Sequence, residues 1–232
     1  MDDLVTLLTT TNLYRFVDVV GVVANGLLGG IVARQMRFDI IGFMAISMIS
    51  GLGGGVLRDL MLTTRPVMLT DPAYLVGVLI SAAVAFLITL HDRWLRRLLI
   101  LADSLAMGCW AATGAVKGLA FGLSPLPAIL MGVITAVGGG MMRDVLTGRV
   151  PSIFGGNTLY ALPAFIGAVE ALVFVRLGMS DLGMGLAILT CSCLGLAAKW
   201  FKWSLPEARD WTLPRKNPKA PRRPHKGPRD PQ

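Results

Sequence analysis

The heptapeptide Gly53-Gly54-Gly55-Val56-Leu57-Arg58-Asp59 recurs later in the chain as Gly138-Gly139-Gly140-Met141-Met142-Arg143-Asp144, and each copy follows apolar residues numerous enough to enter a bilayer. The recurrence extends beyond the motif. At the same offset of 85, Asp18 meets Asp103, Gly29 meets Gly114, Ser50 meets Thr135 and Pro66 meets Pro151. The chain therefore reads as an internal duplication. Three successive glycines weaken a helix by roughly 1 kcal/mol each relative to alanine. Their appearance at matching points of both copies predicts two helices that break inside the membrane.

Composition makes the membrane assignment. The 232 residues are 54% hydrophobic and 16% charged, with a mean hydropathy of +0.64, whereas an average soluble domain carries about 25% charge. A spanning helix needs about 20 mostly apolar residues. Seven such spans are predicted, near 16–34, 40–62, 73–90, 98–117, 125–147, 159–177 and 182–202. The first three match the second three. A three-span unit starts on one side of a membrane and ends on the other, so its copy must be inserted upside down. The predicted fold is thus an all-α membrane protein of seven transmembrane helices, a 3+3 inverted repeat plus one, with the second and fifth spans broken at their glycine triplets. Its expected parts are an extracytoplasmic segment at 1–14, a first three-helix repeat at 15–97, a second, inverted one at 98–178, a seventh helix at 179–205 and a basic cytoplasmic tail at 206–232.

Charge sets the expected orientation. Seven spans put 5 lysines and arginines on the N-terminal side and 17 on the other, so the N-terminus is expected outside and the C-terminus in the cytoplasm. Ten of the 17 lie from Lys199 onward; without them the bias is 7 against 5. From Pro206 the chain holds 7 of its 13 prolines and eight basic against three acidic residues. That composition suits a solvated tail able to touch anionic membrane lipids. The start of the chain carries Asp2 and Asp3 where a secretory signal would be basic, so no cleavable signal is expected.

The motif carries the functional reading. A glycine run frees backbone carbonyls, and at membrane depth these survive only against protein or along a water-filled cavity, where they are hard ligands for a dehydrating cation. Arg58 with Asp59 and Arg143 with Asp144 follow one turn beyond each break and are expected to pair inside the bundle. The plainer alternative is that the glycines only let helices approach closely, with the charged residues in an interfacial salt bridge. Two copies related by inversion favour the broken-helix reading. Asp18 and Asp103, each near the start of its repeat, are either exposed interfacial carboxylates or the residues that draw cations into vestibules on opposite faces. Their symmetric placement favours the second. Ser50 and Thr135 join the candidate pathway because they precede the triplets at matching positions. Lys117 and Glu170 have no symmetric counterparts, and Glu170 would need a partner if buried.

Other chemistries find no support. His91 and His225 are isolated, there is no Walker-type phosphate loop, and no serine, histidine and acid arrangement can be drawn, so no enzyme is expected. Cys109, Cys191 and Cys193 read as small packing residues rather than ligands, and neither a cofactor nor a structural metal is expected. The tail has no aromatics after Trp211 and no folded basic module, which argues against a nucleic-acid partner. Small-xxx-small patterns at Gly26 to Gly30 and Gly51 to Gly55 offer faces for helix packing within or between subunits.

The doubled GGGxxRD motif, the run Leu146-Thr147-Gly148-Arg149-Val150-Pro151, the Gly122-Leu123-Ser124-Pro125 entry to the fifth span and the Trp203-Ser204-Leu205-Pro206 exit resemble the prokaryotic branch of the trimeric intracellular cation (TRIC) channel family, also described as a membrane family with a glycine-transporter-type domain. The similarity covers roughly residues 15 to 206. It implies a homotrimer in the bacterial inner membrane, each protomer holding its own pore for monovalent cations, potassium or sodium and chiefly potassium. Carried over by position, the pore-narrowing kinks fall at Gly53, Gly54, Gly55, Gly138, Gly139 and Gly140, beside Arg58, Asp59, Arg143 and Asp144. The competing function is a secondary carrier for a small zwitterion such as glycine, since carriers also use inverted repeats and broken helices.

Overall fold

The computed structural model of the chain describes residues 12–88, 93–154 and 159–203. The expected tail at 206–232 and most of the expected N-terminal segment lie outside the described residues. Among the described residues the chain forms eight helices and no strand: α1 Asn12–Gln35, α2 Ile40–Met61, α3 Val67–Thr70, α4 Pro72–Leu87, α5 Arg93–Ala120, α6 Pro125–Leu146, α7 Ala161–Arg176 and α8 Ser180–Phe201. Five of them, α1, α2, α5, α6 and α8, are long and apolar enough to cross a bilayer. The helices α4 and α7 have 16 residues each, about 24 Å of rise against a hydrocarbon core of about 30 Å. All seven lie where spans were expected, whereas the single turn α3 was not expected. The 28-residue α5 takes Arg93, Arg96 and Arg97 into its own first turns, where the sequence suggested a connection.

Local chemistry sets the helix ends. Asp39 caps α2 by accepting the Gly42 N–H at 2.8 Å, and Asp71 caps α4 by accepting the Ala73 N–H at 3.0 Å ahead of Pro72. The Arg15 guanidinium, hydrogen-bonded to Asp71 at 2.7 and 3.0 Å, holds this carboxyl below the usual carboxylate range. Past the C-termini of α5 and α6 the chain turns through left-handed glycines, Gly122 at φ 84° and Gly148 at φ 67°. Their mates in the first repeat are Arg37 at φ 56° and Thr63 at φ 55°. The duplicated turns keep their backbone shape even where glycine is absent.

The duplication is visible as a two-fold exchange of contacts. A methyl on Gly54 would overlap the Thr135 carbonyl oxygen, and one on Gly139 would overlap that of Ser50. A methyl on Gly29 would fall 2.7 Å from Ser50 Cβ and 2.8 Å from the Ile46 oxygen; one on Gly114 would meet Thr135 Oγ1 and lie 2.9 Å from the Met131 oxygen. Exchanging every residue for its mate in the other repeat turns one contact of each pair into the other. Because Ser50 meets Gly139 and Gly54 meets Thr135, α2 and α6 cross antiparallel, with the symmetry axis passing through the crossing.

The expected breaks are absent: both triplets lie within uninterrupted helices, Ile40–Met61 and Pro125–Leu146. The reason is one of magnitude. Glycine weakens a helix by about 1 kcal/mol per residue, whereas an unpaired backbone group in an apolar setting costs roughly 2–7 kcal/mol. The helical ladder wins. The glycines serve close approach instead, since a methyl on Gly53 would lie 3.2 Å from the Gly139 Cα and one on Gly138 3.2 Å from the Gly54 Cα. The same economy of side-chain size runs through the interior, where Ala106, Ala111, Ala115, Ala164, Ala168 and Ala187 are fully buried. Cys109 and Cys191 are buried as expected of packing residues, but Cys193 is exposed on the outer face of α8.

Within each triplet the positions differ. Gly55 and Gly140 face open space, where a methyl would meet nothing nearer than the arginine Nη2 of its own helix, at 3.9 and 3.7 Å. Gly54→Ala and Gly139→Ala should therefore each destabilise the fold by roughly 1–3 kcal/mol through backbone overlap, whereas Gly55→Ala and Gly140→Ala should be neutral or stabilise by up to about 1 kcal/mol. Thermal unfolding of the four variants in detergent checks this; equal behaviour within each triplet would refute the division.

Candidate functional site

One helical turn beyond each triplet stands the charged end of the motif. Arg58 donates from Nε and Nη2 to the two oxygens of Asp59 at 2.8 and 3.2 Å. Arg143 directs Nε and Nη2 onto Oδ1 of Asp144 at 2.9 and 2.8 Å. The expected internal pairing is thus met, between neighbours in sequence. Each aspartate also ties down the chain that follows its helix. Val67 N–H donates to Asp59 Oδ2 at 3.0 Å, and its mate in the second repeat, Ser152 N–H, donates to Asp144 Oδ2 at 3.3 Å. In a bilayer a lone charge costs several kcal/mol, and neutral pairs remove most of that cost.

The two ends are not equal. Lys117, from the last turn of α5, donates to Asp59 Oδ1 at 2.8 Å, which builds an Arg58, Asp59 and Lys117 cluster with the Asp59 side chain fully buried. Position 117 corresponds to Val32 in the first repeat, so Asp144 receives no matching lysine. Its pair is also the more open, with side chains 15% and 8% exposed against 5% and 0%. Arg143 instead reaches across the crossing, placing Nη1 3.3 Å from Ser50 Oγ. Thr135, the mate of Ser50, turns its hydroxyl back to the Met131 carbonyl at 2.7 Å. Both residues are buried within the crossing rather than lining an open passage.

Asp18 and Asp103 are not free interfacial carboxylates. Asp18 accepts from Tyr74 Oη and Trp110 Nε1, both at 2.6 Å. Asp103, 6% exposed, accepts from Tyr160 Oη at 3.3 Å and from Lys199 Nζ at 3.2 Å. A cavity of about 30 Å³ opens beside Asp18, between Gly54, Gly55, Arg58, Tyr74 and Trp110. The two tyrosines escape a search for the repeat because they stand one step out of register, the offset pairing Tyr74 with Leu159 rather than with Tyr160. Trp110 and Lys199 escape it too, because neither has a like residue at the repeat offset. Glu170 Oε2 is buried and has no hydrogen-bond partner among the described residues.

Removal of Asp59 should be far more damaging than removal of Asp144. Asp59→Asn leaves Arg58 and Lys117 together in a buried pocket without the carboxylate that bonds them both, at an expected cost of about 3–5 kcal/mol, whereas Asp144→Asn strands one partly exposed arginine and should cost less than half as much. Denaturant unfolding of purified protein reads the difference. Equal losses would mean that Lys117 does not load the first end.

A family model described as glycine transporter matches residues 15–89 and 100–176. A UPF0126 membrane protein of Deinococcus radiodurans is 34% identical over 168 residues, 70% of this chain and 78% of that protein. Among solved structures, a TRIC cation channel superposes with a TM-score of 0.76 at 27% identity, covering 83% of this chain and 96% of its own. The TRIC trimeric intracellular cation channel orthologue from Rhodobacter sphaeroides gives a TM-score of 0.74 at 29% identity, covering 83% of this chain and all of its own.

Proposed function

We propose that this chain, which belongs to the prokaryotic TRIC family that the glycine transporter model also describes, is a potassium-permeable cation channel that assembles as a homotrimer with one passage in each protomer. The observation that carries the reading is the reciprocal glycine crossing of α2 and α6, flanked at each end by an arginine–aspartate pair. All seven longer helices cross the membrane in this reading, as two inverted three-helix units at 15–97 and 98–178 with α8 beside them. The passage runs along the crossing, past Gly55 and Arg58 at one end and Gly140 and Arg143 at the other. In this reading the crossing, packed backbone to backbone, is the closed form of the passage. Opening needs the two helices to part or slide, which means withdrawing the few side chains that reach across: Met142 over Gly53, Leu57 over Gly138 and Arg143 to Ser50.

The N-terminus lies outside and the C-terminus in the cytoplasm, following the distribution of lysine and arginine. An all-helical multi-pass protein of a bacterium belongs in the inner membrane, because outer membranes take β-barrels. Purified protein in planar bilayers under a potassium chloride gradient should give unitary current steps with a reversal potential on the cation-selective side. Saturable glycine counterflow without current steps would replace the channel by a carrier.

A further inference from the structure

Four aspartates are related in pairs by the duplication, Asp18 with Asp103 and Asp59 with Asp144. Three of them hold a cation: Asp59 has Arg58 and Lys117, Asp144 has Arg143, and Asp103 has Lys199. Asp18 makes no salt bridge among the described residues, and the cation facing it is Arg58, across the cavity the two border. Its two oxygens accept from a phenol and an indole, neutral donors that orient a carboxylate without cancelling its charge. A carboxylate offers about four lone-pair directions, so two remain. Asp18 borders a cavity of about 30 Å³, room for about two waters or for an ion that has shed part of its shell.

The difference between the mates has a traceable cause. Trp110 supplies the second donor to Asp18, and its mate in the first repeat is Asn25, whose Nδ2 donates to the Gly21 carbonyl at 3.2 Å instead. Asp103 is therefore left short of a donor, and α8, which has no duplicate, fills the gap with Lys199. Arg58 also borders the Asp18 cavity; its Nε and Nη2 bond to Asp59, as does the Lys117 ammonium, and since two cations share one carboxylate the cluster keeps one positive charge that a cation entering the cavity must share Asp18 with. We infer that the cavity beside Asp18 is a binding site for a partly hydrated monovalent cation, with Asp18 as the loading carboxylate and Asp103 as an anchor for α8. The binding site stands on the cavity and its partners; its part in conduction rests on the channel reading above.

The indole bonded to Asp18 makes the site testable without measuring flux. Potassium chloride titrated against choline chloride at constant ionic strength should produce a saturable change in tryptophan fluorescence in the full chain and in Asp103→Asn. The change should vanish in Asp18→Asn, whose amide oxygen can still accept from Tyr74 or Trp110, and in Trp110→Phe, which removes the reporter. In planar bilayers Asp18→Asn should lower the potassium-to-chloride permeability ratio about threefold or more, as expected for loss of a fixed charge at a confined mouth. Asp103→Asn should move that ratio less while lowering the melting temperature, because it leaves Lys199 unpaired. A fluorescence response absent from the wild type or retained by Asp18→Asn would overturn the site, and so would an equal fall in permeability ratio for Asp103→Asn. A potassium response without unitary currents would keep the site and reject the channel; currents whose selectivity ignores Asp18 would keep the channel and reject its loading role.

Discussion

The contact on which the rest of the structure depends is the one between the backbones of α2 and α6. A Cβ at Gly54 or Gly139 would overlap a carbonyl oxygen of the opposing helix, so only glycine lets the two axes come this close. That proximity places Ser50 against Gly29 and within reach of Arg143, and Thr135 against Gly114, and so draws α1 and α5 onto the same centre. The halves meet in small atoms, over an interface that holds helices together by van der Waals contact and backbone proximity.

The charged residues obey a different constraint. Each must find a counter-charge or donors inside the bundle, because the surrounding lipid supplies neither. Duplication gave each half an arginine–aspartate pair and a second aspartate on its first helix. The halves then satisfy these groups with different residues: Lys117 adds to Asp59 in one, and Lys199 from the unduplicated α8 adds to Asp103 in the other. The backbone is symmetric where glycines touch, and the electrostatics are asymmetric where lysines enter. A path through such a centre would present different ends to ions arriving from the two sides.

Much of this is legible from the residues, and the points where structure and sequence part are instructive. The internal duplication and seven helical segments follow from an offset of 85 and from runs of apolar residues, both of which are local properties of the chain. The arginine–aspartate pairs are legible for the same reason, since the partners are adjacent. The glycine triplets look like breaks only while helix propensity is judged as in water, where a freed carbonyl finds solvent. In a packed, apolar interior the cost of freeing it exceeds the propensity loss, and the helix stays whole. Asp103 looks free to draw cations because nothing near it in sequence hints at Lys199, which lies on the last helix.

The sequence by itself thus determined a duplicated helical membrane protein, because the repeated motif and the runs of apolar residues are both local properties of the chain. Tertiary structure alone decided which glycines touch and which face space, and which aspartates are neutralised. Those outcomes depend on how close two helix axes approach and on which side chain from a distant helix reaches across, distances that no spacing along a single helix encodes.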